Sequence, residues 1–129
     1  MELAGPLSWH DEIAGRQEAK PELLGDAILA RKDTPMSYHL CVTVDDALQG
    51  VNLIIRGCDL FESTHLHRLL QALLGYETPS YRHHPLLLNE RGEKLSKRDG
   101  AVSIRELRGL GKKPEEIRRL AGLPQAFAN

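Results

Sequence analysis

Residues 51–57, Val51-Asn52-Leu53-Ile54-Ile55-Arg56-Gly57, constrain the fold more than any other stretch. A β-branched run bounded by Gly50 and Gly57 reads as a buried strand of a parallel sheet. Residues 60–74 follow, placing Leu66, Leu69, Leu70, Leu73 and Leu74 on one helical stripe that Gly75 ends. After Pro79 an extended apolar pattern returns over 81–88. Strand, helix, strand predicts an α/β fold. Arg56 closes the first of these strands, on the edge where open α/β sheets bind ligands. Its alternative role is a salt bridge to Asp59 or Glu62.

Upstream the pattern is less decisive. Leu40, Val42 and Val44 alternate as in a strand, yet Leu40, Val44, Ala47, Leu48 and Val51 also fit one helical face. Ser37 as a cap and Gly50 as a terminator favour the helix. Residues 27–31 form a short apolar run that reads as a buried strand, and Lys32-Asp33-Thr34-Pro35 reads as a turn. Gly5-Pro6, Gly15, Pro21 and Gly25 interrupt every helix within 1–26, so that segment reads as irregular, with Trp9 as its packing anchor. His65 and His67 stand two apart and cannot share a helical face, which argues against a metal pair. His83 and His84 are adjacent on a strand, point to opposite faces, and read as structural.

At 129 residues the chain is one domain or part of one. Lys+Arg 17 against Asp+Glu 18 leaves a net charge of -1, so any RNA contact needs a local basic face. Arg98, Arg105, Arg108, Lys112, Lys113, Arg118 and Arg119 supply one in the last third. Cys41 and Cys58 have no metal-ligand spacing and read as free, buried thiols in a reduced, cytoplasmic setting. No apolar run approaches the ~20 residues that span a bilayer, and the N-terminus lacks a signal-peptide pattern.

One basic loop stands out. Lys94-Leu95-Ser96-Lys97-Arg98-Asp99-Gly100 puts three cations into five residues, with Gly92 before and Gly100 after. Such a loop suits closure over a polyphosphate and neutralisation of charge as a phosphate bond breaks. Read alone, it is first a solvated basic turn and only second a catalytic loop. Beyond it, Ser103 and Glu106 form a capping box for a short helix ended by Gly109 and Gly111, and Pro114 opens another.

Taken together these segments resemble a known family. Lys94-Leu95-Ser96-Lys97-Arg98 is similar to the signature loop of class I aminoacyl-tRNA synthetases. Ser37-Tyr38-His39-Leu40, then Val44-Asp45-Asp46-Ala47, then 51–57 resemble the glutamyl subgroup, and within it the short glutamyl-queuosine tRNA(Asp) synthetases. The resemblance runs from about Leu7 to Leu123. It implies the second half of a Rossmann-like nucleotide-binding domain over 27–100, after an irregular segment 1–26 and before a helical tail 101–129. It implies an ATP-dependent ligase that activates L-glutamate to glutamyl-adenylate and passes it to the queuosine base of tRNA(Asp), with Mg as the ATP counter-ion. Tyr38 and Arg56 would then contact glutamate, Arg56 through its carboxylate-matching fork. Lys97 would contact ATP phosphate, with Lys94 in the same loop and Asp59 near the nucleotide.

The family's histidine-containing ATP signature has no counterpart here, since Ser8-Trp9-His10-Asp11 does not match it, and no zinc-bearing insertion is present. The chain therefore resembles the C-terminal half of a longer enzyme. It is expected to be inactive alone, and an incomplete parallel sheet is expected to expose an edge and an apolar patch. The other readings are a fragment of a conventional glutamyl-tRNA synthetase, a non-catalytic remnant that binds tRNA or nucleotide, and a generic nucleotide-binding domain.

Overall fold

A computed structural model of the chain describes residues 5–33, 35–89, 91–95 and 102–123. The chain divides into two compact units, Met1–Pro85 and Leu86–Asn129. Residues from Leu86 onward thus group with the helical tail, whereas the sequence reading sets the boundary at residue 100.

The first unit is built on a four-stranded sheet of order β2-β1-β4-β3. β1 (Ser8–Asp11) and β2 (Gly15–Glu18) form an antiparallel hairpin, while β3 (Leu53–Gly57) and β4 (Ser80–His84) run parallel. β4 also lies parallel to β1, with Asp11 opposite Tyr81. The hairpin corrects the reading of 1–26 as irregular. Gly15 takes φ 75 at the turn, and Asp11 Oδ1 accepts from the backbone N–H of Ile13 and Ala14 at 2.8 and 2.9 Å. The glycine that breaks a helix is here what the turn requires.

Residues 27–31 form no strand, which corrects a second expectation. They run over the surface, Ile28 is largely exposed, and Leu29 accepts a backbone hydrogen bond from Ser37. An apolar run this short is no strand without a partner. The helix reading of 37–50 stands: α1 spans Tyr38–Leu48, and Ser37 Oγ accepts from Leu40 N. α2 spans Ser63–Leu74 and ends on Gly75 in the left-handed conformation.

Among the described residues of the first unit, the sheet is covered on one face only. Trp9, Asp11, Tyr81 and His83 are buried beneath α2, whereas His10, Ile55, Arg82 and His84 on the opposite face are exposed. β3 is therefore not buried on both faces, and the open face is mostly polar rather than an apolar patch. Among the described residues the buried apolar side chains are Trp9, Leu66, Leu70 and Tyr81. Each buried leucine stabilises the fold by about 1.5–3 kcal/mol. Leu73 and Leu74, the far end of the predicted stripe, are nearly half exposed. Trp9 is the anchor expected, with its ring 4.9 Å from His65 and 5.9 Å from Phe61. Cys41 is half-buried and Cys58 exposed, so the thiols are free but not both buried.

In the second unit, Leu88 and Lys94 bridge across a tight turn, with Gly92 at φ 77. Asn89 Oδ1 accepts from the backbone N–H of Arg91 and Glu93, both at 2.9 Å. The approach to the basic loop is thus a closed turn rather than open coil. α3 (Ile104–Gly109) carries the predicted Ser103–Glu106 capping box, and α4 (Pro114–Leu120) has proline in its first turn. Among the described residues no helix is long and apolar enough to cross a membrane.

Candidate functional site

Register decides what the sheet presents. Arg56 lies opposite His83 in the β3–β4 pairing, so both side chains stand on the covered face at the carboxyl ends of two parallel strands. Tyr81, two residues before His83, shares that face. Its ring stacks on His83 at 5.8 Å, and the Arg56 guanidinium lies over it at 5.3 Å.

Arg56 donates through three nitrogens. Nε donates to His83 Nε2 at 3.1 Å, Nη2 to Thr64 Oγ1 at 2.7 Å, and Nη1 to His67 Nδ1 at 3.0 Å. A guanidinium only donates, so each imidazole nitrogen facing it must accept. His83 therefore carries its proton on Nδ1, which lies 2.6 Å from Asp11 Oδ2. His67 likewise carries its proton on Nε2, 3.0 Å from His39 Nδ1. Donation thus runs outward from Arg56 along two branches, through His83 to Asp11 and through His67 to His39.

Burial reinforces it. Asp11 is completely buried and His67 nearly so. Burial pushes the His67 imidazole down to about 3, helped by the positive charge of Arg56 and by His39 and His83. It is an acceptor for Arg56, never a second cation beside it, at any neutral pH. Burial alone would raise the Asp11 carboxyl. Hydrogen bonds from Ala14, the His83 ring, Ile13 and the His83 backbone outweigh it and hold the group at about 2. The Tyr81 phenol is raised by burial, against a hydrogen bond from Gln71 at 2.9 Å.

The predicted residues fall into three groups. Tyr38 and Arg56 are brought together: the half-exposed Tyr38 ring, at the first residue of α1, packs edge-on to His39 at 5.5 Å and to His67 at 6.1 Å. Beside Tyr38 an open depression of about 320 Å³ is lined by Ile28, Ala30, Arg31, Met36 and Ser37. Asp59 is exposed in a short 3-10 turn just after β3. Lys94 and Leu95 belong to the second unit, at the base of its turn, and Ser96, Lys97 and Arg98 lie outside the described residues.

Sequence reasoning missed Asp11, His39, Thr64, His67 and His83 as members of the site. His83 was legible as facing away from His84, and the exposed His84 and buried His83 agree. His65 and His67 do serve separate neighbourhoods, His65 accepting from Lys20 N at 3.0 Å. What no local pattern showed is that His83 stands opposite Arg56. Among the described residues no group of three or more His, Cys, Asp or Glu is placed to hold a metal ion.

Comparison with known proteins identifies the family. The family model for "tRNA synthetases class I (E and Q), catalytic domain" matches residues 1–124. The chain is 46% identical over 125 residues to a glutamyl-Q tRNA(Asp) synthetase of Rhodobacter capsulatus, covering 95% of this chain and 44% of that protein. It is 42% identical over 115 residues to a glutamate–tRNA ligase of Burkholderia mallei, covering 89% of this chain and 24% of the relative. A crystal structure of a glutamate tRNA ligase from Elizabethkingia meningosepticum in complex with its amino acid superposes with a TM-score of 0.63 at 34% identity, over 78% of this chain and 20% of that one. The chain thus spans less than half the length of these relatives. It belongs to the class I glutamyl and glutaminyl tRNA synthetases, as part of their catalytic domain.

Proposed function

We propose that this chain carries the glutamate-side contacts, and part of the pyrophosphate-side contacts, of a site that converts L-glutamate and ATP to glutamyl-adenylate. The observation that supports it best is the convergence of Tyr38 and Arg56 on one histidine cluster at the carboxyl ends of β3 and β4. Arg56 has five N–H groups and donates three in the hydrogen bonds above, which leaves two for a carboxylate. Bidentate carboxylate recognition is what a guanidinium does better than an ammonium. Tyr38 would donate its phenol beside the same amino acid.

In this reading Lys97 and Lys94 neutralise charge on the ATP phosphates, Asp59 lies near the nucleotide, and Leu95, Ser96 and Arg98 complete the signature loop. Mg²⁺ enters as the counter-ion of ATP. The reaction is attack of the glutamate carboxylate on the α-phosphate, in which positioning and charge neutralisation do most of the catalysis. The chain alone is expected to support no glutamate-dependent ATP–pyrophosphate exchange, since nothing in it matches the family's histidine signature for ATP. Exchange well above background would sink that expectation.

The acceptor we propose is the queuosine base of tRNA(Asp), in a cytoplasmic setting. The 46% identity to a glutamyl-Q tRNA(Asp) synthetase, across a larger share of that relative, supports it over the 3′ end. The conventional glutamate–tRNA ligase is the second reading, favoured by the 42% identity to that group. Gel-shift titration separates the two: tighter binding to a queuosine-containing tRNA(Asp) anticodon stem-loop supports the first, and tighter binding to a tRNA(Glu) acceptor minihelix the second.

The glutamate reading is tested by calorimetric titration of the chain with L-glutamate. Arg56→Lys keeps a positive charge but loses the fork, and hydrogen bonds to charged groups contribute about 1.5–3 kcal/mol each. The variant should therefore bind L-glutamate at least about tenfold more weakly. Unchanged affinity would remove Arg56 from the site.

A further inference from the structure

We propose that Asp11 and His83 are positioning residues for Arg56. The buried carboxylate fixes which ring nitrogen of His83 carries the proton, and the bare nitrogen then holds the Arg56 Nε–H. The proposal rests on reading Arg56 as the carboxylate receptor.

The geometry is over-determined. Asp11 has no exposed surface, and its two oxygens have separate tasks. Oδ1 accepts from Ile13 N and Ala14 N and builds the β1–β2 turn. Oδ2 accepts from the His83 backbone N–H at 3.2 Å and from its Nδ1–H at 2.6 Å. With all four donors aimed at it, the group must be an acceptor on both oxygens, which only a carboxylate provides. His83 Nε2 is left to accept from Arg56 Nε at 3.1 Å, while Thr64 Oγ1 stands 3.3 Å away. A guanidinium on a long, flexible stem is thereby held at its root, and its outer N–H groups need not be ordered when a ligand arrives. The hairpin thus acts on Arg56 from the far side of β4.

Asp11→Asn is the discriminating variant. Oδ1 faces two backbone N–H groups and Oδ2 only one, so the new amide nitrogen faces His83, gives up the bond from the His83 backbone N–H and donates to Nδ1. The His83 proton then moves to Nε2, where it meets the Arg56 Nε–H, donor against donor. Long-range ¹H–¹⁵N correlation spectra of the full chain should show His83 protonated at Nδ1 in the unsubstituted protein and at Nε2 in D11N. Affinity for L-glutamate, read by calorimetry, should fall about tenfold in D11N, as expected for losing a hydrogen bond to a charged group. Adding His83→Gln to D11N supplies an amide oxygen for Arg56 Nε without help from residue 11, and should recover most of that loss. A purely structural Asp11 predicts no proton move and no rescue. D11N losing affinity with the His83 proton still on Nδ1 overturns the proposal. So does Nε2 protonation in the unsubstituted chain, a measurement that decides the matter even if D11N does not fold. A chain that binds no L-glutamate, yet shows His83 protonated at Nδ1, overturns the receptor reading of Arg56 instead.

Discussion

Each histidine of the cluster does a different job, and His67 gives the pH dependence its sign. In the unfolded chain it takes up a proton below its ordinary 6.5, but in the folded chain only below about 3. The unfolded state therefore binds more protons across that window, and stability falls as pH drops from 6.5 toward 3. Asp11 adds a smaller loss in the same direction as pH falls from 3.8 through about 2. Urea denaturation should show stability declining between pH 7 and pH 4, by a few kcal/mol at most, since each pKa unit is worth about 1.36 kcal/mol. His67→Gln should flatten that decline. A slope unchanged in His67→Gln would place the protonation elsewhere. Cysteine chemistry offers a simpler check: exposed Cys58 should react with a thiol reagent well before half-buried Cys41. Equal rates would contradict the placement of Cys58.

At the level of elements, the ends of helices were the most legible features. Gly75 sits at φ 72, with nothing within 4 Å of where a Cβ would be. Gly75→Ala should cost about 1 kcal/mol of unfolding free energy through backbone strain alone. A loss several times larger would mean that contacts, not conformation, decide the position. α1, α2, α3 and α4 all follow from local periodicity and capping residues. The β1–β2 hairpin did not, because Gly15 breaks helices and builds turns alike, and Asp11 supplies the turn acceptors only after it has folded. Residues 27–31 failed for the converse reason: Ile28 and Leu29 have the composition of a strand but no neighbouring strand to pair with.

Across the whole molecule, the likeness to the family lay in short segments: Ser37-Tyr38-His39-Leu40, Val44-Asp45-Asp46-Ala47, residues 51–57 and the basic loop 94–98. The site's supporting residues lay in sheet register. Nothing local to Ser80–His84 says that its His83 will stand opposite Arg56, or that Asp11, 72 residues earlier, will reach it. Tyr38 and Arg56 were therefore readable as candidate site residues, while the hydrogen bonds that hold Arg56 were not. The most direct measurement of the central claim is a titration of ¹⁵N-arginine-labelled chain with L-glutamate, following the Arg56 Nε–H. The account predicts a saturable shift at Arg56 as L-glutamate is added, as a carboxylate engages its two remaining N–H groups. Binding of L-glutamate that leaves the Arg56 signal unmoved would contradict it.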